Sequence, residues 1–77
     1  MTDVILIVDD DEGLLRTLEL LLTRRGFEVI KANTAEDGLR KAYRHQPDMV
    51  LLDVSMPGMN GWDMCKRLRE MSDVPIM

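Results

Sequence analysis

Cysteine is almost absent from this chain. Cys65 stands alone, so an internal disulfide is excluded. No Cys/His cluster has the spacing of a zinc site. The usual staples of very short domains are therefore missing from a chain of 77 residues, a length that allows one domain with a marginal core. No apolar stretch approaches the roughly 20 residues of a membrane span. The first residues, Met1-Thr2-Asp3, lack the basic segment of a secretory signal. These absences predict a cytoplasmic protein with a reduced thiol and no membrane association. Positive charge is the minority sign, and the net charge is −4. That balance argues against a broad nucleic-acid footprint and against an anionic membrane surface.

The acidic residues are placed unevenly. Asp3, Asp9, Asp10, Asp11 and Glu12 all fall near the start. For Asp3, Asp11 and Glu12 a solvated turn is sufficient explanation. Asp9 and Asp10 differ, because Val4-Ile5-Leu6-Ile7-Val8 runs straight into them. A continuous Val/Ile/Leu run is the pattern of a strand buried on both faces. Met49-Val50-Leu51-Leu52 runs into Asp53 in the same way.

Helical patterns separate these strands. Leu14, Leu15, Leu18, Leu21 and Leu22 form an apolar stripe. Asp11 is its N-cap, Glu12 and Arg24-Arg25 suit the two ends of the dipole, and Gly26 is the expected residue past the end. A short strand is expected over 27–31. Asn33 or Thr34 caps a second helix, with Asp37 in the place of the usual Glu of a capping box. Ala35, Leu39, Ala42 and Tyr43 share its inner face, and Gln46-Pro47 ends it. A third strand is expected over 48–53. Met56-Pro57-Gly58-Met59-Asn60-Gly61 is a turn signal. A third helix follows from Trp62 to Glu70, with Met64, Cys65, Leu68 and Met71 inward. Val74-Pro75-Ile76-Met77 reads as the opening of a fourth strand.

Strand–helix alternation of this kind predicts an α/β fold, a doubly wound parallel sheet with right-handed crossovers. Ligands in such sheets lie beyond the carboxyl ends of the strands, where Asp9, Asp10 and Asp53 fall. Two carboxylates about 5 Å apart repel by roughly 3 kcal/mol at an effective dielectric near 20. A raised pKa relieves this, and so does a hard divalent cation. Carboxylates without a nearby His or Cys suit Mg²⁺ or Mn²⁺ far better than zinc. Asp53 also offers a nucleophile for a phosphoryl group. Spacing alone leaves plainer readings equally open, with Asp9 a solvated loop residue and Asp53 an Asx-turn former.

Ile5-Leu6-Ile7-Val8-Asp9-Asp10-Asp11, taken together with Asp48-Met49-Val50-Leu51-Leu52-Asp53-Val54-Ser55-Met56-Pro57-Gly58-Met59-Asn60-Gly61, resembles the receiver domain of two-component response regulators. The spacing between the acidic pair and Asp53 matches, as does Pro75-Ile76. The resemblance covers residues 3–77. It implies a flavodoxin-like fold of strand order 2-1-3-4-5, here about three βα units plus the start of strand four. It implies a signalling domain and not an enzyme, with Asp53 as phosphoacceptor and a sensor histidine kinase as donor and partner. Asp10 would bind Mg²⁺ directly, Asp9 mainly through water, and the Ser55 backbone carbonyl would be a further ligand beside Asp53. The Ser or Thr expected at the end of strand four, and the Lys at the end of strand five, have no counterpart within residues 1–77. Lys31, Lys41 and Lys66 match neither position. The expectation is thus a truncated receiver with Leu6, Val8 and Leu52 under-covered, and self-association, as a dimer, to cover them.

An alternative is a non-phosphorylating interaction or oligomerisation fragment of the same fold. An aspartate-nucleophile phosphatase ranks last, because Asp9-Asp10-Asp11-Glu12-Gly13 lacks the Thr of that signature. His45 reads as a surface or capping residue, Cys65 as a small buried hydrophobe, and Trp62 and Tyr43 as packed or half-packed. Arg16, Arg24, Arg25 and Lys31 read as solvated surface.

Overall fold

The structure, a computed structural model, describes residues 3–53 and 61–71. Strand β1 is Val4–Val8, helix α1 Glu12–Arg24 and strand β2 Glu28–Ala32. Helix α2 is Ala35–His45, strand β3 Met49–Leu52 and helix α3 Gly61–Met71. The three strands form a parallel sheet in the order β2-β1-β3. The α/β alternation and the first part of the expected strand order are both present. The fourth-strand segment, the turn at 56–60 and Ser55 lie outside the described residues.

Local chemistry fixes the helix ends. The Asp11 carboxylate accepts the Leu14 N–H at 3.1 Å, satisfying a donor that has no partner within α1. At the other end Gly26 takes φ 92°, the left-handed conformation open to glycine at no steric cost. Thr34, not Asn33, caps α2, its Oγ1 accepting the Asp37 N–H at 3.1 Å. The Asp37 carboxylate turns to Arg40 and Lys41. Gln46 ends α2 with φ 47° and ψ 64°, so the residue before Pro47 leaves the helix through the left-handed region and not through the extended one.

The pleat divides the core. Leu6, Val8, Ala32 and Val50 face α2 and α3, where they pack with Ala35, Ala42 and Met64. Ile5 and Ile7 face the other way, with Leu15 of α1. This corrects one expectation. Leu6 and Val8 are 0% and 1% exposed, sealed beneath α2 and α3, and Leu52 is half-buried on that same side. Cover is looser on the α1 face, where Leu18 and Leu51 are only half-buried. Leu14, Leu20 and Leu21 of α1 are exposed, so the leucine stripe is wider than the sheet beneath it.

Other departures are small. β2 runs one residue later than its pattern suggested, because Ala32 pairs with Val8 and is buried. Tyr43 is 65% exposed and not packed, since it turns away from the face of Ala35 and Ala42. Cys65 is half-buried, and Met64 beside it is fully buried. His45 is exposed at the end of α2, as expected. The side chains of Trp62, Leu68 and Met71 lie outside the described residues.

Candidate functional site

Strand register builds the site. Val8 of β1 is the partner of Leu52 of β3, so the next residues, Asp9 and Asp53, leave the sheet side by side. The backbone holds both in place. Asp53 N–H donates to the Val8 carbonyl at 3.0 Å, and Asp9 N–H donates to the Ala32 carbonyl at 3.1 Å. The ladder therefore continues just past the last strand residues on both sides of β1. Two half-buried carboxylates emerge at its carboxyl edge, with exposed Asp10 beside them.

A ligand oxygen from each of Asp9, Asp10 and Asp53 lies within 4.8 Å of the others. The structure thus brings together the three carboxylates that the strand-end pattern singled out. Ser55 lies outside the described residues, so its carbonyl is not placed. Burial pushes the Asp9 carboxyl above its ordinary value. The Asp11 N–H, 2.9 Å from Asp9 Oδ1, opposes that rise. The charges of Asp53, Asp10 and Asp11 add to it. Sequence reasoning gave Asp11 only its capping role. Its backbone also orients Asp9, and the adjacency of the two residues was the available signal.

A cleft of about 420 Å³ opens at this edge, lined by Ile7, Val8, Asp9, Leu18, Leu51, Leu52 and Asp53. Its floor is apolar and its rim carries two of the carboxylates. The donor set decides which ion it suits. Carboxylate oxygens alone, without His or Cys in the group, match a hard cation such as Mg²⁺ or Mn²⁺ and not zinc.

The family model of the response regulator receiver domain matches residues 5–77. The chain belongs to that family. This receiver is 40% identical over 73 residues to the transcriptional regulatory protein AfsQ1 of Streptomyces coelicolor, covering 95% of the chain and 32% of AfsQ1. It is 41% identical over 70 residues to the alkaline phosphatase synthesis transcriptional regulatory protein PhoP of Bacillus subtilis, covering 91% and 29%. The chain thus spans about a third of the length of these curated relatives.

Solved structures agree on the fold. The chemotaxis protein CheY4 of Vibrio cholerae superposes with a TM-score of 0.94 at 30% identity, over 99% of this chain and 66% of that one. The response regulator TrrA of Thermotoga maritima, solved in complex with Mg²⁺ and BeF, gives 0.86 at 32% identity, over 90% and 60%. A structure of the histidine kinase ThkA in complex with TrrA gives 0.91 at 32% identity, over 97% and 66%. The fold is the flavodoxin-like receiver fold, and the family places the chain in two-component phosphorelay signalling. Among the described residues, no helix is long and apolar enough to cross a membrane.

Proposed function

We propose that this receiver accepts a phosphoryl group on Asp53 from a sensor histidine kinase, at a site where Asp9, Asp10, Asp53 and the Ser55 backbone carbonyl hold Mg²⁺ or Mn²⁺. The carrying observation is the convergence of the three carboxylates within 4.8 Å at the ends of two register-paired strands. When bound, the cation neutralises charge that builds on the carboxylates and on the phosphoryl oxygens. One Asp53 oxygen attacks phosphorus and forms an O–P bond. The bond from phosphorus to the donor's imidazole nitrogen breaks, and its electron pair stays on that nitrogen. Asp9 and Asp10 serve as metal-holding residues, their neighbouring positions aimed at one point by the end of β1. The half-buried position of Asp53 beside an open cleft suits entry of a donor from solvent. TrrA with Mg²⁺ and BeF, and ThkA with TrrA, support the metal and the kinase by similarity.

We also infer that the chain self-associates through the α1 side. Leu14, Leu20 and Leu21 of α1 are exposed, and Leu18 of the same helix lines the cleft with Ile7 and Leu51. The net charge of −4 supports a segment that does not itself bind nucleic acid. The reading is of a cytoplasmic signalling domain and not an enzyme.

Incubation with Mg²⁺ and a small acyl-phosphate or phosphoramidate donor tests the phosphoacceptor reading. Intact-mass measurement should show one added phosphoryl group, absent after Asp53→Ala and absent with chelator. No adduct on a folded, oligomeric wild-type chain would instead favour an interaction module without phosphorelay activity.

A further inference from the structure

Among the described residues, β2 is an edge strand, paired only with β1. Its inward groups are identified by their bonds. Glu28 N–H donates to the Asp3 carbonyl, and the Ala32 carbonyl accepts from Asp9. In a parallel ladder, backbone groups alternate in direction along the strand. Glu28, Ile30 and Ala32 therefore point toward β1, while Val29 and Lys31 point outward from the sheet. A row of outward N–H and C=O groups is a template for another strand.

The Lys31 carbonyl on that edge is already taken. Lys41 Nζ, on α2, donates to it at 2.6 Å. The same ammonium lies 3.0 Å from Asp37 Oδ2, and Asp37 is in turn held by Arg40 and by the Thr34 cap. The lysine is thus clamped across the edge by its own helix. Its side chain is 30% exposed, so it stands at the surface where a second strand would approach.

We propose that the outer edge of β2 is a pairing surface for β2 of a second copy of this chain, kept shut by Lys41. An antiparallel pairing centred on Ile30 matches the outward groups of both copies at Val29 and Lys31 symmetrically. Each Val29 N–H would meet the second copy's Lys31 carbonyl, and each Lys31 N–H the second copy's Val29 carbonyl. Lys41 pre-empts the Lys31 carbonyl in both copies and so removes half of that ladder. It also places two ammonium groups at one seam. This edge is separate from the phosphoacceptor site and from the exposed leucines of α1, so it stands or falls independently of the proposed function.

The test compares wild type, Lys41→Met and Lys41→Arg by sedimentation velocity across a concentration series, with residue-resolved amide exchange on the same samples. Lys41→Met keeps the apolar stem and removes the donor, and Lys41→Arg keeps a cationic donor. Freeing the Lys31 carbonyl of both copies restores two hydrogen bonds across the seam, which implies at least about tenfold tighter self-association in Lys41→Met. The Val29 and Lys31 amides should become protected as concentration rises in that variant alone. Lys41→Arg should behave as wild type. Unchanged self-association in a folded Lys41→Met variant would overturn the proposal. So would tighter association with Val29 and Lys31 still exchanging freely, because that would place the contact on another surface.

Discussion

Replacing Gly38 by alanine sets two known effects against each other. Gly38 is the fourth residue of α2 and is buried. For an ordinary helix position, Gly→Ala stabilises by about 1 kcal/mol. Here an added Cβ would lie 2.8 Å and 3.1 Å from the two γ-methyl groups of Val8, and 2.9 Å from Met64 Cε. The Met64 methyl ends a flexible side chain and can swing aside. Val8 cannot, because a β-branched residue is stiff at χ1. Its backbone is also held between Ala32 and Leu52 in the ladder. Relief must come from α2 lifting off β1, and overpacking of this kind costs about 1–3 kcal/mol. The steric cost matches or exceeds the propensity gain, so Gly38→Ala should lose up to about 2 kcal/mol. For a domain of this size that lowers Tm by up to about 15 °C. Urea unfolding followed by circular dichroism gives the value, read from the midpoint at constant slope. In a Val8→Ala background the same substitution should become neutral or stabilising, and that non-additivity identifies the contact. A Gly38→Ala protein more stable than wild type would refute the argument, since α2 would then be free to move from the strand that leads into Asp9.

Three further outcomes follow from the same structure. Asp9→Asn should raise Tm in chelator by removing a half-buried charge that faces two others, and it should also weaken the stabilisation that added Mg²⁺ gives wild type. A lower Tm in chelator would contradict the repulsion. Thr34→Ala should cost about 1 kcal/mol in urea through loss of the α2 cap, and an unchanged midpoint would show that cap to be idle. Asp37 has a folded-state pKa below its ordinary value, held there first by Arg40 and then by Lys41. Its stabilisation is therefore fully present above the unfolded pKa near 3.8 and is lost as pH falls through the depressed folded value. Asp37→Asn should narrow the stability gap to wild type below that range, and a gap constant from neutral to strongly acid pH would exclude the mechanism.

Much of this arrangement was legible in residue pattern. Two apolar runs ending in aspartate mark the strands, and their parallel alternation puts Asp9, Asp10 and Asp53 at one edge. Asp11, Thr34 and Gly26 announced helix ends through chemistry that acts within a few residues, and such chemistry survives tertiary packing. The errors came where pattern carries no information about side. A strand buried on both faces looks alike on each, so the pattern marks Leu6 and Val8 as under-covered although α2 and α3 seal them. Tyr43 adjoins Ala42 on the helix, but the turn of about 100° per residue carries it off the inner face into solvent. Gly38 gave no sign of its role, because a close approach to Val8 exists only once α2 and β1 are in contact. The Lys41 bond to the Lys31 carbonyl joins residues ten apart and depends on the crossover geometry.

The central claim is that the clustered carboxylates make Asp53 a metal-assisted phosphoacceptor. Borohydride trapping addresses it most directly. The chain is incubated with Mg²⁺ and a phosphoramidate donor, reduced, digested and sequenced by mass spectrometry. An acyl phosphate at Asp53 is reduced to the alcohol, so the account predicts homoserine at position 53 in the complete reaction only, and none when Mg²⁺ is chelated or when Asp9 and Asp10 are replaced by alanine. Unmodified Asp53 in the complete reaction of a folded chain, or reduction at another carboxylate, would contradict it.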